Sequence, residues 1–65
     1  MFFKWAGVFD KGIVGEIVTL KISTSSKRLA QKRVREKVNE RVSAGWRLRF
    51  VSMPLCRTDR HYRPI

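Results

Sequence analysis

The sequence predicts a small α+β domain, in which three antiparallel strands form a sheet and one helix packs across one face. Two apolar, alternating segments at 2–9 and 13–22 indicate a pair of strands. Apolar residues spaced by four along a basic segment indicate a helix, and a third alternating segment begins directly after Gly45. The expected chain order is therefore strand, strand, helix, strand.

The first two strands are predicted to form a hairpin through Asp10-Lys11-Gly12, where glycine supplies a left-handed residue. Both alternating sets of strand 1 contain apolar residues, so the pattern leaves its buried face open. Gly15 suggests a bulge in strand 2. In the second half of that strand Val18, Leu20 and Ile22 are assigned to the core. Ile17, Thr19 and Lys21 alternate with them and are assigned to the opposite face.

The helix is expected to start at a serine cap, Ser25 or Ser26, and to end at Gly45. Its apolar stripe is Val34, Val38 and Val42. Because a stripe of this kind must pack on something, we expect it to cover the sheet.

The third strand alternates from the residue after Gly45. Trp46, Leu48 and Phe50 are predicted to face the helix, and Arg47, Arg49 and Val51 to face away from it. Pro54 lacks an amide hydrogen and is predicted to end the strand. The guanidinium groups of Arg47 and Arg49 are then expected to be presented to an outside, negatively charged surface.

The length of the chain favours a single domain, and its positive charge favours a role in binding a partner. The 65 residues leave room for a single domain, assigned to 1–56, followed by an irregular basic tail at 57–65. Fifteen lysines and arginines against five acids give a formal charge of +10, and nine of the fifteen are arginine. Such an excess favours a polyanionic or acidic partner, and arginine favours bidentate contacts to carboxylate or phosphate.

The sequence carries no recognisable catalytic or cofactor motif. Cys56 and His61 are too few for a zinc site, and no third group is predicted to orient them as nucleophile and base. The five acids are scattered, and the glycines match no phosphate-binding pattern. We therefore expect a non-enzymatic binding protein without a metal, a cofactor or a small-molecule substrate.

The setting expected from the sequence is the cytoplasm. The single cysteine excludes an intramolecular disulfide, and no apolar run approaches the ~20 residues of a membrane helix. The first five residues are too short for a signal peptide. Neither a membrane nor stable self-association is expected, although the exposed edges of a three-stranded sheet leave a dimer open.

The candidate binding residues fall into two groups. One lies on the sheet face away from the helix, and the other at the start of the helix, where an anion would be favoured by free amides and serine hydroxyls. The sheet group is Lys4, Lys21, Arg47 and Arg49, and the helix group is Lys27, Arg28, Lys32 and Arg35. Simple solvation of a basic surface is the alternative for both groups.

Three short segments resemble a known family: K-W-A-G-V at 4–8, S-A-G-W at 43–46 and P-L-C at 54–56. They are similar to segments of the small inhibitors of bacterial RNA polymerase that podovirus coliphages make early in infection. This resemblance implies the same strand-strand-helix-strand fold and a block of transcription by docking on the polymerase jaw. In that family two arginines on the last strand contact acidic jaw residues. Arg47 and Arg49 lie nearer the start of the strand, so they are not assigned as their equivalents.

A second resemblance covers V-N-E at 38–40 and A-G-W-R-L at 44–48. It is to a family of small uncharacterised domains in which a helix ends at Gly-Trp before a strand. It implies the fold and carries no function.

The expected function is that of a phage-type regulator that binds and inhibits host machinery, first of all bacterial RNA polymerase, in the cytoplasm of the host cell. Direct binding of DNA or RNA is the alternative, motivated by the net charge and the arginine-rich helix start. A ribosome-associated or virion-associated basic component is a third possibility.

Overall fold

A computed structural model describes all 65 residues and shows the α+β fold expected from the sequence. The elements are β1 (Phe2–Lys11), β2 (Val14–Ser23), α1 (Lys27–Ser43) and β3 (Arg47–Thr58). The three strands form one antiparallel sheet in the order β2-β1-β3, and α1 connects the two outer strands. β1 is therefore the only strand with a neighbour on both sides.

The hairpin between β1 and β2 is tighter than predicted. Lys11 pairs with Val14, so only Gly12 and Ile13 form the turn. Gly12 has a φ of 66°, whereas Ile13 does not have a positive φ. This combination fits a type II′ turn, which matches the twist of the two strands. The predicted three-residue connection is wrong by one residue.

The structure decides which face of β1 is buried. Phe3, Trp5, Gly7 and Phe9 are all buried and point toward α1. The intervening residues form the centre of the other sheet face. Gly7 is needed because the Trp5 indole lies across it: a Cβ at this position would lie 2.9 Å from Trp5 Cζ2 and even closer to Cη2.

β2 pairs with β1 in one continuous register from Val14 to Ser23. The predicted bulge at Gly15 is therefore wrong. Ile22 is buried and Leu20 packs against the core, as the alternation predicted. Lys21, Thr19 and Ile17 pair with Lys4, Ala6 and Val8 on the face away from α1.

β3 is long and irregular, and Pro54 does not end it. The strand runs on to Thr58, and its pairing with β1 shifts register at three places. Pro54 lies within one of these shifts, between the pairs Lys4–Cys56 and Ala6–Met53. Proline is tolerated there because a bulge on an edge strand does not need every amide hydrogen.

The register shift at Arg49 reverses the side chains that follow it. Leu48 pairs with Phe9 and Phe50 pairs with Val8, so two residues of β3 advance against one of β1. A shift of one residue moves every later side chain to the opposite face. Phe50 is consequently 56 % exposed on the face away from α1, while Val51 pairs with Gly7 on the helix side. The predicted faces of Phe50 and Val51 are both wrong.

α1 has the predicted ends. Ser26 is the N-cap, and its Oγ accepts a hydrogen bond from Leu29 N at 3.3 Å. At the other end Gly45 has a φ of 91°, and Trp46 N donates to Arg41 O at 3.0 Å. Gly45 N donates to Val42 O, which completes a Schellman motif. Lys11 Nζ donates to Ala44 O at 2.9 Å and places a cation at the negative end of the helix.

The predicted stripe of α1 packs on the sheet only in part. Ala30 is fully buried, Val34 and Val38 are half-buried, and Val42 is 52 % exposed. Residues spaced by four drift by about 40° per step around a helix, so Val42 lies about 120° from Ala30. The drift turns Val42 away from the sheet, and Arg41 takes its place.

The hydrophobic core is thin. Eight of the 65 residues are buried, and the centre is formed by Phe3, Ile22 and Ala30. Trp5 and Phe9 continue it along β1 with an edge contact between rings 6.4 Å apart. Because so little apolar surface is enclosed, we expect modest stability.

The residues after β3 fold back on the strand. Asp59 Oδ1 accepts hydrogen bonds from His61 N at 2.8 Å and from Arg63 N at 3.0 Å, and Pro64 bridges to the buried Thr58. The Tyr62 ring meets the Phe2 ring edge-on at 5.6 Å. Of the predicted tail at 57–65, Arg57 and Thr58 belong to β3, and residues 59–65 form a turn that contacts the strand.

A candidate partner-binding face

The sheet face away from α1, here called the open face, carries an exposed apolar row at its centre. Ile17, Val8 and Phe50 stand side by side on the three strands. Ile17 is 68 % exposed and Phe50 56 % exposed, and no other element covers them. Ala6 and Met53 form the next row. The open face is therefore neither simply polar nor simply basic.

Lys4 and Lys21 lie on one side of the apolar row, as the sequence predicted. They face each other directly across β1 and β2, and neither makes an ion pair. Lys21 Nζ lies 5.8 Å from the centre of the Tyr62 ring. Two unpaired ammonium groups opposite each other repel, which favours an anion arriving between them.

Arg47 and Arg49 lie on the other side of the row but are not free. Arg47 Nη2 and Arg49 Nε lie 3.2 and 3.3 Å from the same oxygen, Asp10 Oδ2. We expected both groups to be presented to an outside surface, and their pairing with the protein's own Asp10 contradicts this in part. The side chains of the two arginines are nonetheless 78 % and 60 % exposed. One carboxylate between two guanidinium groups leaves a net positive charge, and both groups keep free N–H donors.

The four cations of the helix start lie on the opposite side of the molecule from the open face. Lys27, Arg28, Lys32 and Arg35 are all exposed on α1, and none of them makes an ion pair. Arg28, Lys32 and Arg35 line a shallow depression together with Leu29. The structure therefore separates the eight predicted residues into two surfaces.

Arg41 is the charged residue that sequence reasoning missed. Its guanidinium carbon lies 4.3 Å from the centre of the Trp46 ring and 5.5 Å from that of Phe9. Nη2 lies 2.9 Å from Glu16 Oε2 at an angle outside hydrogen-bond geometry, and Nε has no acceptor. The role of Arg41 is to close the core beneath the helix end. The only signal for this role of Arg41 in the sequence was the drift of the apolar stripe around the helix beyond Val38.

The other reactive side chains are not brought together. Cys56 Sγ lies 3.7 Å from Lys4 O, while His61 Nε2 accepts a hydrogen bond from Arg60 Nε. No cluster of three or more His, Cys, Asp or Glu residues is present that could hold a metal ion. The pKa of Asp59 is lowered from its ordinary value of 3.8, chiefly by the hydrogen bond from Arg63 N and also by His61.

The one helix, α1, is neither long enough nor apolar enough to cross a membrane.

Comparison of the chain with protein-family models, with curated proteins and with solved structures finds no match.

Proposed function

We propose that the protein is a small non-enzymatic regulator that binds an acidic surface of a partner protein through the open face. The observation that supports this most is the exposed row Ile17–Val8–Phe50 with cations on both sides. An apolar centre inside a charged rim is the usual anatomy of a protein–protein interface. Two of the three residues in this row, Ile17 and Val8, are aliphatic, which suits a protein partner better than bases, since bases stack on aromatic rings.

The resemblance to the phage inhibitors makes bacterial RNA polymerase the first partner to test, with the cytoplasm of the host cell as the setting. Charge steering by a +10 molecule would speed association with an acidic surface and make the rate fall with salt.

The test is a pull-down from nuclease-treated bacterial lysate at moderate salt, followed by binding to the purified partner. Phe50→Ser and Lys21→Glu should each weaken binding by about tenfold or more, as expected for residues near the centre of an interface. Arg33→Glu is the matched control, because it makes the same charge change on the helix at a residue outside the predicted binding groups, and it should have a much smaller effect. Recovery of no protein, or equal losses for Lys21→Glu and Arg33→Glu, would contradict the proposal.

Asp10 provides a second test, because it competes with a partner carboxylate for Arg47 and Arg49. Asp10→Asn should raise the affinity for an acidic partner by a few fold, since charge-assisted hydrogen bonds are about twice as strong as neutral ones. Titration of the purified partner against both forms measures the change. An affinity that does not rise for Asp10→Asn, with an unchanged fold by circular dichroism, would contradict this competition.

The second candidate function is binding of single-stranded nucleic acid on the same face. It is favoured by the exposed ring of Phe50 and by the rings of Phe2 and Tyr62 beside Lys21. Binding of a single-stranded oligonucleotide that is lost in Phe50→Ser, with a steep fall of affinity with salt, would favour it over the protein partner.

A further inference from the structure

A second apolar surface lies on the helix side of the sheet, between α1 and β3. It is an open groove of about 450 Å³, called here the α1–β3 groove. Its apolar lining is Trp5, Val34, Val38, Leu48 and Val51. Val51 is 43 % exposed, although the sequence pattern placed it on the other face. The register shift at Arg49 therefore creates both surfaces at once, since it moves Phe50 to one face and Val51 to the other.

The two flanks of α1 carry different charges. The flank toward β2 contains Glu36 and Glu40 among its cations, and Lys37 pairs with Glu40 at 3.6 Å. The flank toward β3 contains no acid. Arg35 borders the α1–β3 groove and also the depression that holds Arg28 and Lys32. The groove thus has an apolar floor, Arg35 and the uncharged Gln31 on its helix wall, and the cations Arg28 and Lys32 in the adjoining depression.

We propose that the α1–β3 groove binds an acidic, amphipathic segment of a partner protein. Apolar side chains of the segment would pack on Val34, Val38, Leu48 and Val51, and its carboxylates would meet Arg35, Arg28 and Lys32. This is the helix-in-groove mode of peptide recognition, here with charge complementarity on one wall. The site is distinct from the open face, so it adds a second contact surface to the proposed function.

The charge of the chain and the lining of the groove argue against the two other occupants. A second copy of the chain would bring another +10 charge against the same cationic wall. Single-stranded nucleic acid needs exposed rings for stacking, whereas Trp5 is only 4 % exposed and the rest of the floor is aliphatic.

The test uses a fluorescently labelled synthetic peptide with leucines along one helical face and glutamates on the other, and follows its anisotropy. A peptide of the same composition in shuffled order tests whether the amphipathic arrangement matters. Polyglutamate and a single-stranded oligonucleotide test whether charge alone is enough. We expect only the ordered peptide to bind tightly at physiological ionic strength. Salt at this concentration screens charges over a distance of ~8 Å and so weakens contacts that are purely electrostatic.

Two pairs of variants locate the peptide on the protein. Arg35→Glu should weaken binding by about tenfold, whereas Arg33→Glu, the same change on the flank toward β2, should have little effect. Val51→Asp should weaken it similarly, whereas Phe50→Ser, next to it on the open face, should not. The folds of the variants are compared by circular dichroism, and the arginine pair keeps the test valid if Val51→Asp unfolds.

Three other results would each overturn the inference. Equal losses for Arg33→Glu and Arg35→Glu mean that only the net charge matters. Loss in Phe50→Ser with retention in Val51→Asp places the peptide on the open face and leaves the proposed function intact. Equal affinity for the shuffled peptide, polyglutamate or the oligonucleotide removes the apolar groove from the interaction.

Discussion

Gly7 lets the central strand pack closely on its own tryptophan. It lies in the middle of β1, and the indole of Trp5 occupies the space that a side chain at this position would need. Leu48 Cδ1 would lie 3.1 Å from an added Cβ on the other side. A glycine within a strand usually weakens it, and here it allows the largest side chain of the core to lie flat on the sheet.

Gly7→Ala should therefore lower the free energy of unfolding by about 1–3 kcal/mol, the usual effect of overpacking a core. Urea unfolding followed by tryptophan fluorescence measures it. Gly15→Ala is the matched control, because an added Cβ there meets only Phe9 O, at 3.9 Å. That variant should be unchanged or up to about 1 kcal/mol more stable. Equal effects of the two substitutions would contradict the role assigned to Gly7.

Asp59 holds the C-terminal turn through its ionised carboxylate. Because its folded-state pKa is lowered, its contribution to stability is present above about pH 4 and is lost as the pH falls through the folded-state value. We expect the contact between Tyr62 and Phe2 to loosen over this acidic range, as followed by NMR. Asp59→Asn keeps an acceptor oxygen but does not titrate, so its turn should lose this pH dependence. A wild-type contact that persists unchanged below the folded-state pKa would show that the charge of Asp59 is not needed.

At the scale of elements, β3 decides the two surfaces of the protein. A regular strand from Trp46 onward would have placed Phe50 beneath the helix and Val51 on the open face. The local alternation predicted a regular strand of this kind. A sequence pattern shows the spacing of residues along one strand but not the offset of that strand against its neighbour. The three register shifts are a property of the β1–β3 pair. They also explain why Pro54 is accommodated within the strand.

The end of α1 joins the helix to the hairpin. Gly45 adopts a φ of 91°, and Lys11 reaches from the end of β1 to Ala44 O beside it. Lys11 also lies 6.0 Å from the centre of the Trp46 ring. The helix, the hairpin and the start of β3 therefore meet at one corner, and the exact backbone path of Gly45 sets their geometry.

Gly45→Ala should destabilise the protein by about 1–2 kcal/mol, because a left-handed conformation is strained for a residue with a Cβ. The added Cβ would also lie 3.2 Å from Lys11 Cε. Gly45→Asn should lose less, since asparagine tolerates the left-handed region. Thermal unfolding of the three forms gives the order. If alanine and asparagine were equally harmful, contact with Lys11 and not backbone strain would be the cause.

For the whole molecule, the dominant feature is a high positive charge over a thin core. Eleven of the fifteen lysines and arginines make no ion pair, because Lys37, Arg41, Arg47 and Arg49 are the four that do. The molecule measures 35 × 18 × 14 Å, so charges on opposite sides of its two short axes lie about two Debye lengths apart at physiological salt, and closer charges repel more strongly. Self-repulsion should therefore reduce the stability of the free protein.

We expect the midpoint of urea unfolding to rise when NaCl is increased from low to physiological concentration, because salt screens this repulsion. Binding to an acidic partner should weaken over the same range. The double variant Arg28→Gln with Lys32→Gln removes two unpaired charges and should show a smaller salt dependence. A midpoint that does not change, or that falls with salt, would indicate that the four ion pairs outweigh the repulsion.

The sequence alone determined the element types, their order, the ends of α1 and the faces of β2. These depend on local physics: alternation, helical period, a serine cap and a left-handed glycine act within a few residues. Only the tertiary structure decided the buried face of β1, the exposure of Phe50, the sharing of Asp10 by Arg47 and Arg49, and the packing of Arg41 on the Trp46 and Phe9 rings. Each of these depends on the offset between neighbouring elements, and an offset is set by packing across the sheet and not by spacing along the chain.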